Sequence, residues 1–147
     1  MFRSLLVVDD CDAVRYGLKL VFQKTNIDVV AEAATCAEAL ECLRTQAISL
    51  VLLDIRLPDG SGLDLLPQIK ALRPDLPVLM HTMSDASAHV ASSFQRGAHG
   101  FVVKGLAPRQ LLEVVQRTCN GESVWTADQM QHVARHQALP TNGGTAV

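Results

Sequence analysis

The sequence predicts an α/β protein: a doubly wound, five-stranded parallel sheet of order 2-1-3-4-5, with an extra helix at the C-terminal end. Three observations carry this expectation. Short apolar runs alternate with stretches of helical periodicity along the 147 residues,. Right-handed crossovers between parallel strands then leave few topologies. Two of the runs, Leu5–Val8 and Leu50–Leu53, stop abruptly at aspartates, and in such a sheet ligands gather at the carboxyl ends of the strands.

Each element has its own signal. A strand over Ser4–Asp9 leads into a helix from about Asp12 to Lys24, with Asp12 as its cap and Val14, Leu18, Val21 and Phe22 as its apolar stripe,. The β-branched pair Val29-Val30 marks a second strand, Asp28–Ala33, and Thr35 caps the helix that follows through Leu40 and Leu43,. After the strand ending at Leu53, Gly60-Ser61-Gly62 opens a helix carrying Leu65, Leu66, Ile69 and Leu72. Pro67 falls in its first turns, where a missing amide proton costs least,. Pro77–Thr82 is the fourth strand, and Ser84 or Asp85 starts the fourth helix. Gly97-Ala98-His99-Gly100 is a stop and turn before the fifth strand, Phe101-Val102-Val103. Pro108 begins a helix with Leu111, Leu112, Val114 and Val115, ended by Asn120-Gly121,. Thr126–Gln137 reads as a further short helix, and Ala138–Val147 as linker or tail,.

Composition narrows the function classes. Apolar residues make up 48% of the chain and the net charge is −2. There is no basic stripe and few aromatics, which argues against direct nucleic-acid binding by this segment. No run approaches the roughly 20 apolar residues of a membrane span, and no signal-peptide pattern follows Met1, so a cytoplasmic location is expected. Cys11, Cys36, Cys42 and Cys119 form no C-x-x-C pair. They read as buried, reduced thiols, with Cys11 a candidate for oxidation because it adjoins an acid pair.

That pair, Asp9-Asp10, and Asp54 end neighbouring strands in the expected topology. Three carboxylates at one sheet edge repel one another and raise one another's pKa. A divalent cation relieves the repulsion, and oxygen-only ligation by a few carboxylates and waters suits Mg²⁺. One aspartate of such a site can also serve as a nucleophile.

The acid pair, the run Asp54-Ile55-Arg56-Leu57-Pro58-Asp59-Gly60-Ser61-Gly62, Thr82 at the fourth strand end and Phe101-Val102-Val103-Lys104 together resemble the receiver domain of two-component response regulators. The resemblance covers about residues 3–120 and implies a flavodoxin-like, CheY-like fold. It implies a receiver unit over residues 1–121, followed by a helix and tail over 122–147. Asp54 would accept a phosphoryl group from a phosphohistidine on a sensor histidine kinase or phosphotransfer protein. Asp10 would bind Mg²⁺ directly, Asp9 mainly through water, Asp54 through one oxygen, and Arg56 through its backbone carbonyl. Lys104 would pair with Asp54 and then with the phosphoryl oxygens, and Thr82 would donate its hydroxyl to one of them. Phe101 would be the switch aromatic, where many relatives carry Tyr.

Several positions depart from the family pattern or tune it. His81 stands in a strand where an apolar residue is expected, and a histidine beside acids can titrate near neutrality. Met83 is larger than the usual small residue and would narrow access to Asp54. Arg56, Met83 and Ser84 are candidates for tuning the lifetime of the acyl phosphate. Lys104 is followed by Gly105, so the Lys-Pro cis peptide of many receivers has no counterpart; Ala107-Pro108 is the nearest site for one.

Residues 97–108 and Asn120-Gly121-Glu122 followed by Val124-Trp125 look most like receivers of NarL/FixJ (LuxR-type) regulators. Those regulators bind DNA through a helix-turn-helix domain, so contact with DNA would come only through a domain this chain lacks. The alternative is a stand-alone regulator or phosphorelay intermediate acting by protein contact. Helices one and five, or four and five, could pair two copies. The resemblance implies no enzyme beyond self-catalysed phosphorylation and slow autodephosphorylation. A haloacid-dehalogenase-type phosphatase would need a second Asp where Arg56 stands. A binding-only receiver would lack an acid or the lysine, and a dinucleotide-binding fold would need a Gly-rich loop after the first strand.

Overall fold

The computed structural model describes residues 2–138. Apart from residue 138, the expected tail lies outside them. In chain order the elements are β1 (Arg3–Val8), α1 (Asp12–Phe22), β2 (Ile27–Ala33), α2 (Cys36–Thr45), β3 (Leu50–Leu53), β4 (Arg56–Leu57), β5 (Gly60–Ser61), α3 (Gly62–Leu72), β6 (Val78–Thr82), α4 (Ser87–Gln95), β7 (Gly100–Val103), α5 (Pro108–Cys119) and α6 (Ala127–Ala138). Five strands form one parallel sheet of order β2-β1-β3-β6-β7. This is the predicted 2-1-3-4-5 order, with a two-stranded antiparallel hairpin, β4–β5, set into what reads from sequence as a turn.

Continuous apolar runs become central strands because both faces of the sheet are covered. All four residues of β3 and the last four of β1 are buried. Alternate side chains divide between two cores. Leu6, Val8, Val51, Leu53, Val78, Met80 and Phe101 pack with Leu43, Leu66, Val90 and Val133 on one side. Leu5, Val7, Leu50, Leu52 and Leu79 pack with Leu18, Phe22, Leu111 and Val115 on the other. Each fully buried leucine stabilises the fold by about 2 kcal/mol.

Thr35 caps α2 as expected, accepting from the Glu38 amide at 3.0 Å. Helices α3 and α5 also open where expected, at Gly62 behind a Ser61 cap and at Pro108, whereas α1 and α4 correct the sequence reading. Cys11, not Asp12, occupies the cap position of α1. The Asp9 side chain accepts the Cys11 amide at 2.9 Å, so the turn is set two residues earlier, and Asp12 pairs with Arg15 instead. The helix stops at Phe22 rather than Lys24, where Lys24 takes a positive φ of 61°. Helix α4 starts at Ser87, beyond both Ser84 and Asp85. The Ser84 hydroxyl accepts the Ala86 amide at 3.2 Å, a local turn that competes with helix there,.

Pro67 lies in the helix interior rather than in the first turn, so the Leu63 carbonyl loses its partner four residues on,. Arg96, at the end of α4, donates to that carbonyl at 2.7 Å and ties α3 to α4. All peptide bonds among the described residues are trans, Ala107-Pro108 included. Of the four free cysteines only Cys119 is buried; Cys36 and Cys42 are half-buried and Cys11 is exposed.

Candidate functional site

Register builds the acid cluster. Val8 lies opposite Leu53 in the β1–β3 pairing, so Asp9 and Asp54 leave the sheet side by side. Their backbones continue the ladder, with the Asp54 amide donating to Val8 O at 3.0 Å and the Asp9 amide to Ala33 O at 2.9 Å. Carboxylate oxygens of Asp9, Asp10 and Asp54 lie within 4.8 Å of one another. Asp9 and Asp54 are buried and Asp10 is exposed.

Lys104 completes the cluster from the end of β7. Its Nζ lies 2.8 Å from Asp54 Oδ2 and 2.7 Å from Asp9 Oδ2. The Asp54 contact is a directed hydrogen bond. The Asp9 contact is ionic only, because Asp9 Oδ2 is buried without a hydrogen bond of good geometry. Burial pulls the Lys104 ammonium down, but its hydrogen bond to Asp54, its close contact with Asp9 and the charges of both carboxylates outweigh that, and its pKa is raised. Asp54 Oδ1 accepts the Ile55 amide at 2.7 Å.

One ammonium against three carboxylates leaves net negative charge, and a buried Asp9 oxygen lacks a proper donor. That donor set is all oxygen and fits a hard divalent cation that keeps part of its water shell.

The flank formed by β6 is mixed. Thr82 is buried at the end of β6, and its carbonyl accepts the Lys104 amide at 2.8 Å. His81 is buried as well; burial above all, then the Lys104 charge, with Asp54 opposing, pushes its pKa down to about 4. It is therefore neutral at physiological pH, and titration near neutrality does not occur. Met83 is 75% exposed and stands out from the fold rather than packing across the acids. Arg56 and Ser84 are exposed. Phe101 is 2% exposed and already turned into the core.

Three residues were missed by sequence reasoning. Arg15 donates to the Asp9 carbonyl at 2.6 Å and to Glu32 at 3.0 Å, bracing the turn that carries the acid pair. As an arginine on a polar helix face it offered no distinguishing signal. Gly62 was read only as a helix opener. Its amide donates to Ile55 O at 2.6 Å, and a Cβ there would lie 1.9 Å from the Asp54 carbonyl oxygen. Asp59 accepts the amides of Cys36 and Ala37 at 2.8 and 3.1 Å, fastening the hairpin after Asp54 to the start of α2. Those two backbone donors are what chiefly lower its pKa.

Comparison with known proteins identifies the family over most of the chain. The family model for the response regulator receiver domain matches residues 5–116. The chain is 30% identical over 138 residues to the response regulator UvrY of Escherichia coli K12, covering 93% of this chain and 63% of that protein. It thus spans less than two thirds of that relative's length. It is 31% identical over 120 residues to the chemotaxis protein CheY of Bacillus subtilis, covering 82% of this chain and all of that one. A crystal structure of a LuxR-family two-component response regulator from Aurantimonas superposes with a TM-score of 0.82 at 28% identity, over 94% of this chain and 99% of the other.

Proposed function

The chain belongs to the response regulator receiver domain family of two-component signalling, and on that premise we propose that Asp54 is its phosphoacceptor. The observation that carries the assignment is the Asp54 carboxylate, 2.8 Å from Lys104 Nζ and grouped with Asp9 and Asp10. In the proposed reaction an Asp54 oxygen attacks phosphorus, the bond to the donor's leaving group breaks, and an acyl phosphate forms. Phosphoryl transfer of this kind depends mainly on positioning and charge neutralisation.

Asp9, Asp10, Asp54 and the Arg56 carbonyl would hold Mg²⁺, which when bound supplies charge neutralisation for the phosphoryl oxygens. Lys104 moves from its carboxylate pair onto the phosphoryl group, and the buried Thr82 hydroxyl donates to it. Phe101, opposite Met80 in the β6–β7 register, serves as the switch aromatic, and with Thr82 it transmits the change to α4, β7 and α5. Arg56, two residues after Asp54, and Met83 and Ser84, directly after Thr82, are the proposed tuners of the phosphate's lifetime. The protein is a phosphoacceptor switch rather than a true enzyme; its chemistry is self-phosphorylation and slow autodephosphorylation.

The phosphodonor partner is a histidine kinase or phosphotransfer protein, in the cytoplasm. Among the described residues no helix is long and apolar enough to cross a membrane. Residues 1–121 form the receiver unit, and 122–147 the helix and tail that follow it. For the output we favour a LuxR-type DNA-binding domain, supported by the likeness to the LuxR-family structure, with the receiver able to pair as a homodimer. The full cover of CheY keeps a stand-alone regulator as the second reading, and the length of the intact gene separates the two.

The test is intact mass after incubation with acetyl phosphate and Mg²⁺. A phosphoryl-sized gain in the wild type, absent with EDTA and absent in Asp54→Ala, is the expected result. No gain with small donors or with any histidine phosphodonor overturns the assignment.

A further inference from the structure

Helix α6 falls outside the 5–116 match, yet it packs back on the two elements that flank Thr82 and Lys104. We propose that α6 is a working part of the phosphorylation switch: Gln129 braces the edge strand β7 and through it positions Lys104 on Asp54. This rests on the phosphoacceptor reading above.

In the sheet, β7 has a neighbour on one side only, β6. Its outer edge is closed by the segment leading into α6 and by the helix itself. The Val124 amide donates to the His99 carbonyl at 2.7 Å, just ahead of the strand. The Val124 side chain fills the space above Gly100, where a Cβ would meet Val124 Cγ2 at 2.2 Å. At the next residue, Gln129 Nε2 donates to the Phe101 carbonyl at 2.7 Å. An edge-strand carbonyl is thereby paired as though another strand were present.

The same Gln129 side chain also starts its own helix. Its Oε1 accepts the Thr126 amide at 2.9 Å, while the Gln129 amide donates to Thr126 Oγ1 at 3.1 Å. This reciprocal capping box uses the oxygen of the Gln129 amide and leaves the nitrogen for β7. One side chain therefore joins the order of α6 to the position of β7. Lys104 follows the end of this four-residue strand and lies three positions past Phe101.

The remaining contacts make α6 rigid enough to act as a brace. Val133 is 1% exposed and shares a core cluster with Phe101 and Val90. Trp125 meets Phe94 edge to face at 5.4 Å. His132 and His136 both reach the Ser87 hydroxyl in the first turn of α4, at 2.9 and 3.0 Å. A Lys104 held in place by a braced strand meets the phosphoryl group at lower ordering cost, so docking of α6 and occupation of Asp54 favour each other. Reciprocity is then required: whatever α6 adds to phosphoryl affinity, phosphorylation adds to α6 docking.

Gln129→Glu separates this role from helix stability. Glutamate at that position keeps the capping bond to the Thr126 amide but has no N–H for Phe101. The measurement is binding of beryllofluoride, with Mg²⁺, to the full 147-residue chain, followed by fluorine NMR, alongside melting temperature and hydrogen exchange. The expected result is an affinity lower by at least about fivefold in Gln129→Glu, with Mg²⁺ affinity and melting temperature near wild type. Exchange of the 124–137 amides in the wild type should slow when beryllofluoride binds. Wild-type affinity in the variant, or unchanged α6 exchange in a wild type that binds, overturns the inference and leaves the phosphoacceptor reading intact. A wild type that binds no beryllofluoride overturns both. Gln129→Ala serves as the second variant, and Asp54→Ala as the control without binding.

Discussion

The two flanks of Asp54 are built in opposite ways. On the β1 side the backbone is pinned: Asp9 and Asp54 extend the sheet ladder, Gly62 donates to Ile55 O at 2.6 Å, and Arg15 holds the Asp9 carbonyl at 2.6 Å. On the β6 side, beyond the buried Thr82, Met83, Ser84, Asp85 and Ala86 are all exposed. One local bond, from the Ala86 amide to the Ser84 hydroxyl, orders that loop. Helix α4 then begins without a side-chain cap. The pinned flank gathers like charges, which demands rigidity because the carboxylates would otherwise move apart. The open flank has little to lose by moving, as expected for a segment that must respond to what happens at Asp54.

Removing the cation at the centre should break the contrast most severely. Lys104 is 13% exposed, and the Asp9 and Asp54 side chains it serves are 1% and 7% exposed. Lys104→Met leaves two buried carboxylates without their counter-charge, at a cost of about 3 kcal/mol. Added Mg²⁺ should restore part of that loss by binding the folded state alone. Urea unfolding with and without Mg²⁺ measures both effects; a variant as stable as wild type would mean that the pinned flank does not depend on this charge. The alkaline limb gives an independent check. The folded pKa of Lys104 is raised above 10.5, so its stabilisation is complete below that value and fades as pH rises through the folded value. Wild type should therefore lose more stability there than Lys104→Met.

The acid limb sharpens the contrast at β6. His81 is held to about 4 from an ordinary 6.5, first by burial and then by Lys104. A histidine depressed in this way stabilises the fold above 6.5. That contribution drains away as pH falls and the unfolded chain takes up the proton, by up to about 3 kcal/mol near the folded pKa. His81→Leu should flatten the stability profile between pH 6.5 and 4. If the wild-type and variant profiles run parallel through that window, His81 is not held neutral by the β6 interior.

The same contrast explains what could be read from the chain. The pinned flank was legible because period, register and residue type agree there. Apolar runs ending in Asp9 and Asp54 placed the acids, and Lys104 closed the last run. What escaped depended on backbone geometry or on partners distant in sequence. Gly62 is required by a carbonyl 1.9 Å from its absent Cβ. Arg96 answers the Leu63 carbonyl that Pro67 leaves bare, 33 positions away. Gln129 was visible as part of a short helix, but nothing local announces its bond to Phe101, 28 positions back. At the open flank the helix start was misplaced, because a short Ser-Asp stretch suits a cap and a turn equally well.

Met83 should produce the smallest change in stability and is the sharpest test of what the open flank is for. Its side chain is 75% exposed, so Met83→Ala removes almost no buried area and should shift stability by no more than about 0.5 kcal/mol. Its proposed role in tuning the acyl phosphate rests on its position directly after Thr82, at the end of β6. The expected outcome is faster labelling by acetyl phosphate and a shorter-lived acyl phosphate, each by a few-fold, read from intact mass against time. The two rates rise together because one opening serves both the donor and the hydrolytic water. A variant destabilised by more than about 1 kcal/mol with unchanged kinetics would make Met83 a structural residue, and the open flank would then be pinned by contacts as the acid side is.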